Sequence, residues 1–412
     1  MTKYYAQPIT ASPITARPVA ARGVSTSGGE SLPWLFRFDS KLTALPEALQ
    51  RMNATYTRNS EKRVPQDGGL VVLPANQFGT SYDDVTGLYG YVPEPAATNL
   101  ATNSDGDAST YTVSNVVDGT VVPGFSNGLA FGDNSVIRLA YKSASITTGT
   151  TYSVSVFVVM NDGGAPVVGI TNSTGDLGLV IDSRLVNSGT ALIRYIGNGV
   201  YRVSATMQSV NTGNRDFGVI KYTGQSARTF RITGIQVETG LRATSYIATT
   251  GSTASRAADV DTVLLSAIPG YAASGYTLFV DFRVDAASGA DRTLISVDDG
   301  TANNRARIML PSGGGITTAV TVGGVDQTSI NAGSVGTSRI RAAFSCSANS
   351  FLRAVNGVAG TADTSGSMIA APTHLRIGCR YDNTQQANCY EYTAGLIPQA
   401  LTQAQINALT VL

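Results

Sequence analysis

The sequence predicts an all-β protein in which an extended N-terminal arm precedes two β-sandwich domains, with a short helix at the C terminus. Charged residues make up only 14% of the chain, and glycine occurs 44 times in 412 residues; this composition is typical of strand-rich proteins with many tight turns. Stretches of alternating apolar and polar residues recur between turn signals such as Asn198-Gly199. The length is enough for two or three domains.

The first 33 residues predict an extended arm, because prolines at positions 8, 13, 18 and 33 exclude a regular helix. The segment Pro-Ile-Thr-Ala nearly repeats at a spacing of five, which matches no helical face. A disordered tail and an arm that becomes ordered on a partner both fit this composition. The side chains available for such a contact are Tyr4, Tyr5, Ile9, Ile14, Val19 and Trp34. As the only tryptophan, Trp34 is expected to anchor packing or a subunit contact rather than to bind a ligand.

Residues 36–98 predict a small mixed connector. Leu35 to Asp39 reads as a short strand, the apolar spacing from Ser40 to Met52 indicates a helix, and Leu70 to Leu73 predicts a buried strand. The paired Asp83 and Asp84 invite a metal-binding interpretation. A solvated Asx-type turn is the favoured one, because neighbouring side chains point apart on an extended chain.

Residues 99–250 form the first predicted sandwich. Its alternating strands are Tyr152 to Val158, Ala191 to Ile196 and Tyr201 to Met207. From Phe230 the chain predicts one further strand, interrupted at Gly234, and then a polar Gly/Thr/Ser-rich linker up to Asp259.

The second predicted sandwich follows, in residues 251–412. Its strands are predicted at 278–284, 294–297, 306–310, 339–344, 350–355 and 375–378, with a hairpin turn at Asn356-Gly357. Thr402 and Gln405 form a capping box for a short terminal helix that buries Ile406 and Leu409.

The stretch Ile235-Gln236-Val237-Glu238, followed by Thr244-Ser245-Tyr246-Ile247 and by Arg256-Ala257-Ala258-Asp259, resembles a junction of bacteriophage tail-fibre and other virion proteins. Asn99-Leu100 and the turn that ends at Thr86-Gly87 resemble the same proteins. The resemblance implies a carbohydrate-binding-module-like jelly roll at 99–250, a concanavalin-A/laminin-G-like jelly roll at 251–412, and a virion-attachment role for residues 1–35. It also implies a homotrimer, although the chain has no heptad stretch.

Composition argues against several other classes of protein. The net charge of +1 with interspersed signs gives no basic stripe for nucleic acid. No apolar run is long enough for a membrane span, and the first residues lack the apolar core of a secretory signal. We therefore expect assembly in the host cytoplasm and a place in the virion.

The cysteines, Cys346, Cys379 and Cys389, are interpreted as small buried hydrophobes, with a Cys379–Cys389 bridge as the alternative.

No catalytic motif is present, and the only histidine is His374. Glycosidase chemistry needs two facing carboxylates. Asp281, Asp298, Asp299 and Glu391 are candidates by residue type alone and are interpreted as surface or loop acids. We expect no enzymatic activity, no cofactor and no metal, with calcium at Asp298 or Asp299 as the alternative.

Two polar loops in the second sandwich carry the chemistry of glycan binding, which needs aromatic faces and Asn, Asp or Arg hydrogen-bonding groups. The candidate ligand-binding residues are Arg380, Tyr381, Asp382, Asn383, Asp298, Asn303, Asn304 and Arg305. Together with the resemblance, they predict a phage tail fibre or spike that presents lectin-like domains to host-surface glycans. The alternatives are a capsid head fibre or decoration protein, and a polysaccharide depolymerase.

Overall fold

The computed structural model describes residues 35–186, 191–285, 289–333 and 336–412. The predicted arm, including all six of its contact candidates from Tyr4 to Trp34, lies outside these residues. The described chain is built almost entirely of strands, which confirms the predicted all-β class with a short C-terminal helix.

The elements are as follows in chain order. Before the first sandwich lie β1 (Leu35–Arg37), α1 (Glu47–Arg51), β2 (Thr55–Thr57), β3 (Lys62–Gln66), β4 (Gly69–Leu73), β5 (Ser81–Asp83), β6 (Leu88–Gly90) and β7 (Ala97–Asn99). The first sandwich contains β8 (Thr112–Ser114), β9 (Val117–Asp118), β10 (Leu129–Phe131), β11 (Arg138–Ile146), β12 (Thr151–Met160), β13 (Gly178–Ile181), β14 (Arg184–Leu185), β15 (Leu192–Gly197), β16 (Val200–Gln208), β17 (Gly213–Lys221) and β18 (Phe230–Thr239). Then come β19 (Ala254–Arg256), β20 (Val260–Leu264), β21 (Gly275–Arg283), β22 (Arg292–Asp298), β23 (Arg305–Leu310), β24 (Ile316–Val322), β25 (Val325–Ala332), β26 (Arg339–Ser347), β27 (Ser350–Val355), β28 (Val358–Ala359), β29 (His374–Ile377), β30 (Tyr390–Ile397) and α2 (Gln403–Thr410).

The first sandwich packs the six-stranded sheet β15-β16-β12-β18-β10-β9 against the five-stranded sheet β14-β13-β17-β11-β8. Val154, Val156 and Val158 of β12 lie in the core between them. β15 and β16 form the predicted hairpin, since Asn198 and Gly199 both have positive φ, as a tight turn of this sequence requires.

The second sandwich packs the six-stranded sheet β1-β30-β21-β26-β27-β28 against the seven-stranded sheet β2-β20-β29-β22-β23-β24-β25. The segment predicted as a connector thus supplies one strand to each sheet. β1 pairs with β30, and β2 pairs with β20. Aromatic side chains from the same segment, Phe38, Phe78 and Tyr91, lie in the core of this sandwich.

Three predictions within residues 36–98 are wrong in detail. The helix is confined to α1, because Pro46 precedes its first turn and residues 40–46 are not helical. β4 is not a buried strand: it forms a hairpin with β3, and Val72 is 46% exposed. Asp83 accepts the Val85 amide in the predicted Asx turn, but it is buried rather than solvated, because Arg283 donates two hydrogen bonds of 2.6 Å to it.

The polar stretch after β18, residues 240–259, is not a free linker. We call it the strap, because its residues 244–249 are mostly buried against the first sandwich. The Tyr246 hydroxyl lies 2.7 Å from the Ser104 hydroxyl, and the Ile247 amide donates to Gln236 at 2.7 Å. Asn99 is fully buried, donates to the Ile247 carbonyl at 2.9 Å and accepts from the Val237 amide at 3.0 Å. The residues that carry the family resemblance therefore fasten the strap to the first sandwich.

The strap ends in a buried ionic cluster that joins both parts of the molecule. The fully buried Asp259 carboxylate accepts hydrogen bonds from the Lys62 ammonium and the Tyr56 hydroxyl, each at 2.6 Å. Lys62 also pairs with Glu94, which accepts the Ser245 amide of the strap. Since β7 pairs with β19, the chain enters and leaves the first sandwich at this one place.

The C-terminal helix α2 has the predicted capping box between Thr402 and Gln405 and buries Ile406 and Leu409. The three cysteines are free and buried, so the alternative Cys379–Cys389 bridge is not formed. Within the described ranges, neither helix has the length and apolarity to cross a membrane.

Candidate functional site

The outer face of the seven-stranded sheet carries a row of arginines. Along β23, Ala306, Ile308 and Leu310 point into the core. Because successive side chains of a strand alternate between its two faces, Arg305 and Arg307 point away from the core, where both are half-buried. The sheet therefore presents two guanidinium groups on one face of a single strand.

The neighbouring strands hold a third arginine that is fully engaged. Asp298 of β22 lies opposite both Arg305 and His374 in the sheet register. The Arg376 Nε donates to Asp298 at 3.0 Å, and its Nη1 donates to the Asn383 side-chain oxygen at 2.7 Å. Arg376 thus neutralises Asp298 and ties the loop after β29 to the sheet.

That loop is built around Asp382. The Thr384 hydroxyl donates to Asp382 at 2.7 Å, and the Arg380 Nε donates to it at 3.0 Å. The hydrogen bond from Arg380 has the largest effect on the pKa of Asp382 and lowers it. Burial raises this pKa, but the Thr384 hydrogen bond lowers it again, so the pKa lies well below its usual range. Asn383 has a φ of 61°, a left-handed conformation that asparagine tolerates better than most residues.

The loop brings Tyr381 to the arginines of the sheet. The Arg305 Cζ lies 5.7 Å from the centre of the Tyr381 ring, and the Arg380 Cζ lies 5.1 Å from it. Both distances are within the range of cation–π attraction. The Tyr381 ring therefore contacts the guanidinium groups of both Arg305 and Arg380. We call Arg305, Arg307, Arg380 and Tyr381 the arginine–tyrosine surface.

Two of the three arginines on this surface, Arg305 and Arg307, are not paired with a carboxylate among the described residues. Within the described part of the chain, the Nε atoms of both are also buried without a hydrogen-bond partner. Burial, and then the nearby Arg305 charge, lower the pKa of Arg307 to about 10, although Asp326 and Asp291 act in the opposite direction. Arg307 remains charged at neutral pH but is poorly solvated.

The predicted ligand-binding residues divide into two groups. Arg305, Arg380 and Tyr381 meet at the surface. The others mainly support the structure: Asp298 and Asn383 bind Arg376, Asp382 binds its own loop, and Asn304 donates to Asp299 at 2.7 Å, while Asn303 is exposed at the adjacent turn. Sequence reasoning missed Arg307, although its spacing of two from Arg305 on a predicted strand was a usable signal.

The acids considered for catalysis are not all surface or loop acids as predicted. Asp281 is buried and accepts hydrogen bonds from Arg339 at 2.6 and 2.7 Å and from Arg341 at 2.9 Å. Glu391 is fully buried, and neither of its carboxyl oxygens has a hydrogen-bond partner. Burial, and next the neighbouring Asp261, raise the pKa of Glu391 far above its usual range.

The carboxylates considered for the alternative calcium site are already engaged by other groups. Asp298 is committed to Arg376, and Asp299 accepts from the Thr301 hydroxyl at 2.6 Å. No group of three or more histidine, cysteine or acidic residues suited to a metal ion occurs in the described ranges.

No protein-family profile and no curated protein matches the sequence. Among solved structures, the chain is similar to the CBM40 of the Ruminococcus gnavus IT-sialidase bound to α2,3-sialyllactose, at 15% identity and a TM-score of 0.29, covering 33% of this chain and 83% of that one. The native heptameric SAP-like pentraxin from Limulus polyphemus is similar at 14% identity and a TM-score of 0.26, covering 32% of this chain and 68% of that one. A Streptococcus pneumoniae NanB sialidase is similar at 13% identity and a TM-score of 0.30, covering 35% of this chain and 26% of that one. Each likeness is confined to about a third of this chain and assigns it no function.

Proposed function

We propose that this protein is a structural protein of a phage virion, a tail fibre or spike, which attaches to host-surface glycans through the arginine–tyrosine surface. The glycan part of the proposal is carried by one observation: Arg305, Tyr381 and Arg380 are held together on the solvent-facing side of a sheet. The virion part is supported by the resemblance of the sequence motifs at 235–238, 244–247 and 256–259 to phage proteins.

The surface has the rigidity that weak ligands require. Arg305 stands on a central strand of a seven-stranded sheet, and Arg380 is fixed by Asp382. A polar side chain that is already immobilised loses little conformational entropy when a ligand arrives. Guanidinium groups present several N–H donors in a fixed plane, which suits the ring and hydroxyl oxygens of sugars.

Glycan binding is tested with an array of bacterial surface polysaccharides and the purified full-length protein. Tyr381→Ala removes the ring that contacts the two guanidinium groups, and we expect it to lose most of the binding. Arg51→Gln is the matched control, because this arginine lies on α1 with its side chain 73% exposed. Failure of the wild-type protein to bind any polysaccharide would refute the glycan part.

The virion part is tested by cryo-electron microscopy of the particle and by deletion of residues 1–33. Density at the tail with threefold symmetry supports an adsorption fibre. Density on the capsid lattice, with tens to hundreds of copies, supports the alternative of a head fibre or decoration protein. Normal incorporation of the truncated protein would contradict an attachment role for the arm.

We further propose that the protein is not an enzyme, with a polysaccharide depolymerase as the alternative. Support comes from Asp281 and Asp298, which are committed to arginines, and from Glu391, which is enclosed in the core. Release of reducing ends from host polysaccharide by the purified protein would establish the alternative instead.

A further inference from the structure

We infer that the ligand of the arginine–tyrosine surface is an acidic glycan, one that carries carboxylate or phosphodiester groups, rather than a neutral one. This inference rests on the proposed glycan binding and specifies its chemistry. It starts from the charge of Arg305 and Arg307, which no carboxylate of the described residues pairs with.

The acids closest to these two arginines are already engaged by other groups. Asp298 binds Arg376, and Asp382 binds Arg380. Asp326 accepts the Thr321 hydroxyl at 2.7 Å, and Asp291 accepts the Ser312 amide at 2.8 Å. Asp326 and Asp291 keep their charges and attract Arg307 from a distance, but among the described residues neither forms an ion pair with Arg305 or Arg307.

The two free arginines are arranged to bind an anion together. They are separated by one residue on β23 and point to the same side, so their Cα atoms lie about 6.7 Å apart. Opposite Arg307, β24 supplies the small side chain of Ala319, which carries no charge or hydrogen-bonding group to compete for an anion. An oxyanion between the two side chains would accept hydrogen bonds from both, in the planar geometry that guanidinium groups offer to carboxylate and phosphate.

An anionic ligand also relieves an unfavourable feature of the free protein. A half-buried cation that lacks a partner has lost part of its hydration without compensation. The lowered pKa of Arg307 reflects this loss together with repulsion from Arg305 and Arg380. A neutral sugar supplies oxygen acceptors but no opposite charge, and so relieves the repulsion less.

The test compares polygalacturonic acid, poly(glycerol phosphate) and neutral dextran as ligands for the wild-type protein, the double variant Arg305→Gln/Arg307→Gln and the control Arg51→Gln. We expect one or both acidic polymers to bind the wild-type protein and the control, and the double variant to bind about tenfold to a hundredfold more weakly. Binding of the acidic polymers should also weaken when NaCl is raised from about 0.05 M to about 0.5 M.

The outcomes separate the inference from the proposed function. Equal binding of dextran and the acidic polymers, or binding of the acidic polymers that the double variant retains, overturns the inference while glycan binding stands. Absence of binding to these ligands and to the polysaccharide array overturns both. Preference for one acidic polymer supports the inference and identifies the oxyanion.

Folding of the variants is checked by thermal unfolding. Arg305 and Arg307 have no ion pair to lose, so we expect the melting temperature of the double variant to equal or exceed that of the wild-type protein. If the double variant does not fold, a single substitution of Arg307 replaces it. The replacement removes the charge of Arg307 alone, as Arg307→Gln, and affinity for the acidic polymers and a salt dependence both equal to those of the wild-type protein would then overturn the inference.

Discussion

Replacement of Asp259 by asparagine should be among the most destabilising changes of a single charge in this molecule. The substitution keeps the shape of the side chain but removes a fully buried negative charge. Its two oxygens accept from Lys62 and Tyr56 at 2.6 Å, from the Glu94 amide at 2.9 Å and from Arg58 at 3.3 Å. In Asp259→Asn the buried cations keep only Glu94 as a nearby anion, and an amide N–H group faces other donors.

Breaking a buried ion pair from one side costs about 3–5 kcal/mol, because the remaining charge is left without compensation. Domains are commonly stable by only about 5–15 kcal/mol, so this loss is large. We expect urea titration at pH 7, followed by far-ultraviolet circular dichroism, to show a fall of about 3–5 kcal/mol in the free energy of unfolding.

The control is Asp67→Asn, which removes a carboxylate of similar chemistry from an exposed pair with Lys41. An exposed pair of this kind is worth about 0–1 kcal/mol. If Asp259→Asn costs no more than this control, the cluster contributes nothing by its charge, and the reasoning fails.

Three further predictions concern pH dependence, packing and capping. Burial raises the pKa of Asp261 to about 8, above its usual ~3.9, so the folded protein holds a proton that the unfolded chain releases. The free energy of unfolding should therefore fall by about 1.4 kcal/mol per pH unit between about pH 4 and pH 8 on account of this group, and Asp261→Asn should remove that slope in urea titrations. Gly234 has a φ of 61°, and a Cβ there would lie 2.7 Å from a Phe157 ring atom, so Gly234→Ala should cost about 2 kcal/mol or more, measured by the same titration. Thr402→Ala removes the α2 cap, and we expect calorimetry to show a loss of about 1 kcal/mol; a change below about 0.3 kcal/mol would contradict a stabilising cap.

The strands and tight turns could be predicted because their signals are local. Alternation over Tyr152 to Val158 and the pairs Asn198-Gly199 and Asn356-Gly357 fix a strand or a turn within a few residues. The capping box of α2 is equally local. These signals hold wherever the rest of the chain lies.

The strap and the burial of Asp281 and Asp298 could not be predicted, because the partners of these residues lie far away in the sequence. Residues 244–249 have the composition of a linker, yet Tyr246 is held by Ser104 and Ile247 by Gln236 and Asn99. Polar residues look exposed in a sequence until their hydrogen-bond partners are known.

The arginine–tyrosine surface could be predicted only in part from the sequence, for the same reason. Both loops could be picked out by composition, but the meeting of Arg305 with Tyr381 depends on the order of strands in the seven-stranded sheet. That order follows from long-range pairing, which residue patterns do not specify.

The pairing of β1 with β30 determines how a pulling force would pass through the molecule. A force applied at Leu35 reaches the second sandwich directly, through antiparallel hydrogen bonds between residues 35–37 and 393–395. The first sandwich is inserted between β7 and β19 and lies to the side of this path. Tension between Leu35 and the second sandwich would therefore bypass the first sandwich.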